Sequence, residues 1–172
     1  MAARRQVYRS VIADRRRTTQ TIILILLLIF FLGFLMFGLH RLYSPPAHDK
    51  TAEKGAPAVD DSYLYKRIDS DFGYSFSLAA NLYRQEDGSV NIFLTDMAEN
   101  SVDLLCEIHD TDTGELLYKS GRICPGEYVK TLFPVAEFDN AKRDITVSVF
   151  ALNSDTYKSE GTTELKLVLQ PW

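Results

Sequence analysis

Eighteen consecutive uncharged and overwhelmingly apolar residues, Ile22 to Leu39, constrain this chain more than any other feature. At a rise of 1.5 Å per residue, about 20 such residues cross a hydrocarbon core roughly 30 Å thick. The h-region of a secretory signal is shorter, about 7–15 residues, and small residues mark a cleavage site close behind it. Here the run ends in Leu39-His40-Arg41-Leu42-Tyr43, Ala47 has Pro45 two positions before it, and Ala56-Pro57-Ala58 lies far beyond the run. A helix apolar on every side must be buried or embedded in lipid, and no second long helix is available to bury it. An uncleaved transmembrane helix over 21–42 is therefore expected.

Charge sets the orientation. The first twenty residues carry Arg4, Arg5, Arg9, Arg15, Arg16 and Arg17 against Asp14 alone, whereas Arg41, Lys50 and Lys54 beyond the run are balanced by Asp49 and Glu53. Lysine and arginine excess stays cytoplasmic, so residues 1–20 are expected inside the cell membrane and the C-terminal part outside. These arginines also have the look of a nucleic-acid patch, but topology and contact with lipid headgroups explain them more economically beside an apolar run. Residues 43–62, "YSPPAHDKTAEKGAPAVDDS", are rich in Pro, Ala and charge without apolar periodicity, the composition of a disordered linker. Fully extended, twenty residues reach about 70 Å, and as a coil on the order of 25 Å, too little to display a domain beyond a thick wall.

Residues 63–172 suffice for one domain with a single core. From 60 to 172 the chain carries twenty acidic and ten basic residues, a formal charge of about ten negative. That is the opposite of a phosphate-binding surface, so nucleic acid is not expected as a partner.

Apolar residues in this region recur with period two. "YSFSLAANLY" (74–83) places Tyr74, Phe76, Leu78, Ala80 and Leu82 on one face, "SVNIFLT" (89–95) groups Val90, Ile92 and Leu94, and "SVDLLCEIHD" (101–110) aligns Val102, Leu104, Cys106 and Ile108. Further short runs are "ELLYKS" (115–120), "EYVKTLF" (127–133), "DITVSVFAL" (144–152) and "TTELKLVLQ" (162–170). Each is rich in β-branched and aromatic residues and bounded by Gly, Asp, Asn or Pro. About seven short strands at this spacing predict an antiparallel, immunoglobulin-like β-sandwich. "DTDTGE" (110–115) reads as a hairpin turn with Gly114 at positive φ; the further oxygen ligands of an EF-hand calcium loop are missing.

No arrangement of residues announces catalysis. His109 is the one histidine after residue 60 and is expected on an outward face beside a turn; G-x-S-x-G, H-E-x-x-H and a Gly-rich phosphate loop are all absent. The carboxylates are scattered, as on a solvated surface, so no enzyme, cofactor or metal ligand is expected. Cys106 and Cys124 are the two cysteines. With the turn at Asp110–Gly114, Cys106 falls opposite Lys119 and Cys124 runs past it. Bridging requires Cα atoms within about 7 Å, so two unbridged thiols are favoured unless 121–126 folds back over the sheet.

The stretch "TGELLYKSGRICPGEYV" (113–129) resembles a T-G-E-x-x-Y-x-S-G-x-I-x-P-G pattern of small membrane-anchored extracytoplasmic proteins of Gram-positive bacteria, mostly Firmicutes. The likeness extends over roughly residues 85 to 170, including "VSVFALNSDTYKSEGTTELKLVL", with Cys124 as a departure. It implies a hydrophobic N-terminus joined to one small extracytoplasmic β domain and carries no reaction, because the motif is a hairpin.

The functional expectation is a non-catalytic, membrane-anchored interaction module that binds another envelope protein as an accessory subunit. The alternatives are a ligand-binding or sensor domain signalling through its helix, for which the N-terminal segment is short, and a surface adhesin, for which the tether is short. Aromatic residues outside the alternating core positions mark the expected interface: Tyr63, Tyr65, Phe72, Tyr83, Tyr157 and Trp172.

Overall fold

The computed structural model describes residues 23–38 and 45–172, which fall into two compact units divided after Ser44. The expected cytoplasmic segment 1–20 lies outside the described residues, as do both ends of the expected 21–42 span. Residues 23–38, inside the apolar run, are helical. Among the described residues no helix is long and apolar enough to cross a membrane.

The second unit is all-β. Its elements are β1 (Glu53–Lys54), a 3-10 turn (Asp61–Tyr63), β2 (Tyr65–Asp69), β3 (Ser75–Ala79), β4 (Leu82–Tyr83), β5 (Val90–Asp96), β6 (Val102–Asp110), β7 (Leu116–Lys119), β8 (Glu127–Leu132), β9 (Arg143–Asn153) and β10 (Ser159–Gln170). They form two five-stranded sheets ordered β1-β8-β5-β3-β2 and β4-β10-β9-β6-β7. Strand pairs are antiparallel apart from β4 with β10.

Alternation explains the core. Phe76 and Leu78 of β3, Ile92 and Leu94 of β5 and Val129 of β8 join Leu104, Cys106 and Ile108 of β6 and Val147 and Val149 of β9 in one buried cluster. Each such side chain contributes about 1.5–3 kcal/mol on burial. β6 holds nine successive partners on β9, from Val102↔Asn153 to Asp110↔Ile145. A one-residue slip there would turn the whole β6 apolar set outward, so burial fixes the register. The 110–115 hairpin forms as expected: Gly114 has φ 72, and Asp110 Oδ1 accepts the backbone N–H groups of Asp112 and Thr113, both at 3.0 Å.

Ten strands stand where about seven were expected. The 74–83 run breaks at Ala80-Asn81 into β3 and β4, whose Leu82 and Tyr83 pair with β10 rather than extending β3. Within β5 the register shifts between Asn91 and Leu94. This bulge sets Ile92 and Leu94 into the core and puts Phe93 at φ 50, a conformation that bulky residues rarely adopt.

The expected disordered linker is the main correction. From Pro45 onward the chain belongs to the β unit. His48 forms a parallel bridge with Arg122, Arg122 N–H donates to Ala47 O and Asp49 N–H to Arg122 O, and β1 then pairs with β8 through Glu53↔Tyr128 and Lys54↔Glu127. Ala52, Val59 and Tyr63 pack against the core. The Pro- and charge-rich composition hid these few apolar residues, and pairings one or two residues long leave no period to detect.

Gly121 admits this segment. A Cβ there would stand 2.6 Å from Asp49 Cα and 2.7 Å from Asp49 N, and Gly121 N–H donates to Asp49 Oδ2 at 2.7 Å. Gly121→Ala is expected to push residues 47–49 off the sheet edge and to destabilise the protein by about 1–3 kcal/mol. Amide exchange at Asp49 and Arg122 should accelerate in the variant while exchange along β6 and β9 does not. Unchanged protection at Asp49 would show that the backbone yields without releasing the segment.

Candidate functional site

The β unit has two ends, defined by strand register. The proximal end, beside which the chain arrives at His48, gathers residues 96–104, 122–127 and 153–159. The distal end gathers the start of β5 at Val90, the finish of β8 at Leu132, β4, and the finish of β10 at Gln170. The six aromatic residues singled out above divide between them. Tyr63 and Tyr83 meet edge to face at 6.0 Å, and Tyr63 also stands edge-on to Phe93 at 5.0 Å, all at the distal end. Trp172, 64 % exposed, is placed there by its N–H to Asn140 Oδ1. Tyr65 is half-buried and bonds Thr95 through its hydroxyl.

Phe72 and Tyr157 lie elsewhere. Phe72 occupies the β2–β3 turn at the proximal end, its ring against Gly161, where a Cβ would clash at 2.5 Å. Tyr157 takes φ 56 and offers its ring to the Arg122 guanidinium at 5.2 Å. The six therefore do not make one patch. Leu64, Phe133 and Val135, none of them among the six, are also exposed on segments of the distal end, as are Tyr83 and Trp172. Phe133 and Val135 follow β8 in a crossing segment bonded to β7, Val135 N–H to Leu117 O. Its far part is bonded to Arg84, which donates to Phe138 O and Asp139 O. Adjacent apolar letters around Pro134 carry a signal only once the strand before them is placed.

The proximal end is polar and partly buried. Arg122 Nη1 bonds Asp103 Oδ2 at 2.5 Å and comes within 3.6 Å of Cys124 Sγ. Glu127 Oε2 accepts the Cys124 N–H at 3.1 Å and lies 2.7 Å from His48 Nε2. Burial acts upward on the Glu127 carboxyl, but its bonds to His48 and to the Cys124 N–H outweigh burial and hold it below the usual range. Burial pushes the Cys124 thiol up, assisted by Asp103 and opposed by Arg122. One ligand atom from each of His48, Cys124 and Glu127 lies within 4.8 Å of the other two, so these three could hold a metal. His48 and Glu127 are 79 residues apart, and His48 belongs to the segment whose composition read as linker. Cys106 is apart from this group, a free thiol wholly buried, and burial raises its pKa far above the ordinary value. The two cysteines are unbridged. His109 stands beside the turn, within reach of Gly114 O and Glu107 Oε2.

Asp96, at the finish of β5, is wholly buried. Its Oδ1 accepts from Asn100 Nδ2 at 2.6 Å, while Oδ2 has no partner among the described residues. Burial pushes the carboxyl up to about 8 against the Asn100 bond, and Asp103, Glu127 and Glu99 add to the rise. A raised folded-state pKa means stability that is complete below the ordinary value of 3.8 and lost as pH rises through about 8. The slope from this group approaches about 1.4 kcal/mol per pH unit across that window. Asp96→Asn keeps the bond from Asn100 and removes the proton. Its thermal midpoint should match the parent's near pH 4 and exceed it increasingly toward pH 8. A difference that does not change with pH would refute the burial of an ionisable carboxyl here.

Comparison with protein-family models, with curated proteins and with solved structures finds no match to this chain.

Proposed function

We propose that this chain is a non-catalytic interaction module, held in the cell membrane by one spanning helix with its N-terminus cytoplasmic and its β domain extracytoplasmic. The domain is immunoglobulin-like in the broad sense, and it serves as an accessory subunit that docks on another envelope protein. The likeness of residues 85–170 to small anchored proteins of Gram-positive bacteria agrees with that compartment. The anchor reading is supported by the apolar run Ile22–Leu39 and by six arginines in the first twenty residues.

One observation carries the interaction reading: Leu64, Tyr83, Phe133, Val135 and Trp172, on segments that close the distal end of an otherwise acidic domain, are each exposed. Apolar and aromatic side chains in such a setting, rimmed by charge, mark protein interfaces, because they bury large area at little loss of rotamer freedom. The end they occupy is opposite the one beside which the chain enters the domain.

Crosslinking of the full-length protein in its native membrane tests this. The partner's crosslink should persist when residues 21–42 are replaced by an unrelated anchor and weaken by at least about tenfold in the Tyr83→Ser/Phe133→Ser variant, the loss of two interface anchors. If the anchor swap abolishes the crosslink while the domain stays folded at the membrane, the helix is the working part and the module reading fails.

A further inference from the structure

Three unlike donors converge at the proximal end. The His48 imidazole, the Cys124 thiol and the Glu127 carboxylate place their ligand atoms within 4.8 Å of one another, although they come from the incoming chain, from the segment between β7 and β8, and from the first residue of β8. We propose that His48, Cys124 and Glu127 form a binding site for one borderline-soft divalent cation, with Zn2+ the best match, and that the bound ion latches the incoming chain to the edge of the domain.

The donor set selects the metal class. Thiolate with imidazole suits zinc and its transition-metal neighbours, whereas calcium and magnesium take oxygen ligands almost throughout. Three protein ligands of N, S and O type leave a fourth tetrahedral position for water. With Zn–N of about 2.0–2.1 Å and Zn–S of about 2.3 Å, ligand atoms around the ion stand roughly 3.3–3.7 Å apart. From 2.7 Å, His48 Nε2 and Glu127 Oε2 need only part by about half an ångström. The sulfur, within 4.8 Å of both, has to close by at most about 1.3 Å. Side-chain rotation covers such shifts.

The surroundings also suit an ion. A thiolate and a carboxylate neutralise the two positive charges, and the neighbouring Arg122 is already balanced by Asp103 at 2.5 Å. The Cys124 N–H, donating to Glu127 Oε2 at 3.1 Å, orients that carboxylate from behind, as outer partners of metal ligands do. Binding releases the thiol proton to solvent and breaks the His48–Glu127 hydrogen bond, and the Nε2 proton of His48 passes to Nδ1, or to solvent from the imidazolium, so that Nε2 can ligate. The edge is preassembled by Asp49 and Arg122, through Asp49 N–H to Arg122 O at 2.8 Å and Arg122 N–H to Ala47 O at 2.9 Å. His48 is consequently presented without an ordering step. An ion there ties residue 48 to residues 124 and 127 as a crosslink would.

Cobalt(II) titration of the reduced, metal-stripped full-length protein in detergent is the test. One equivalent should produce a near-ultraviolet sulfur-to-cobalt charge-transfer band with visible bands of tetrahedral intensity, bleached on adding Zn2+. His48→Ala, Cys124→Ser and Glu127→Gln should each weaken binding by at least about tenfold, while Cys106→Ala leaves it unchanged. Amide exchange at residues 47–54 should slow on adding Zn2+ in the parent and not in Cys124→Ser, a readout independent of cobalt colour. No charge-transfer band in the folded parent, or a band that survives Cys124→Ser, overturns the site. Binding that survives His48→Ala overturns the latch, leaving His48 and Glu127 as a plain ion pair.

Discussion

An open two-layered sheet has four edges, and each exposes unpaired backbone N–H and C=O groups. On one side of this domain the segment 47–54 meets two of them in succession. Residues 47–49 pair with Arg122 beside the β6–β7 layer, and Glu53 and Lys54 then pair with β8 of the other layer. Asp49 fixes the crossing: one carboxylate oxygen accepts from the Thr51 N–H and hydroxyl, and the other from the Gly121 N–H. The neighbouring groups inherit their places from this strap. Glu127 begins the strand it pairs with, Cys124 lies between the two pairings, and Arg122 is turned to Asp103 and Tyr157. Without a bare Cα at Gly121 the strap would meet its own partner's side chain.

The long strands were legible because burial and alternation coincide along them. β6 places Val102, Leu104, Cys106 and Ile108 in the core at every second position while it pairs with β9 over nine residues, and nothing local competes with period two there. β1 and β2 escaped notice for different reasons. β1 is a two-residue pairing of Glu53 and Lys54, both exposed, whose bonds are backbone bonds that any side chain permits. β2, Tyr65–Asp69, has intermediate burial only at Tyr65 and Ile68, three residues apart, so its apolar positions break the alternation. The bulge at Phe93 was invisible in principle, since "VNIFLT" reads equally well as an uninterrupted strand.

Residue type alone did not show where the proposed interface residues lie. Of the aromatic residues singled out, Tyr63, Tyr83 and Trp172 share the distal end, whereas Phe72 is used to cover Gly161 and Tyr157 to cover Arg122. A sequence shows that an aromatic falls off the core phase; it does not show whether a glycine or an arginine waits opposite. The proximal group was beyond reach for a stronger reason. Its histidine sits in a stretch with linker composition, and its cysteine and glutamate acquire meaning only when that stretch folds back onto them.

Backbone strain separates the two readings of the distal end, as a mere cap on the core or as a surface with an external purpose. Leu64 has φ 47, a left-handed conformation that costs a residue with a Cβ about 1–2 kcal/mol. Its backbone has a reason to be there, because Leu64 N–H bonds Asp61 O and Leu64 O accepts from Ala80 N–H, closing the turn into β2. Glycine or asparagine would hold that turn with less strain. Leucine adds only its side chain, and that side chain is 48 % exposed. Phe93, strained in the same sense, at least recovers its cost by burial beneath Tyr63. Leu64 recovers less of that cost within the domain, which favours the proposed docking role of the distal end over that of a mere core cap.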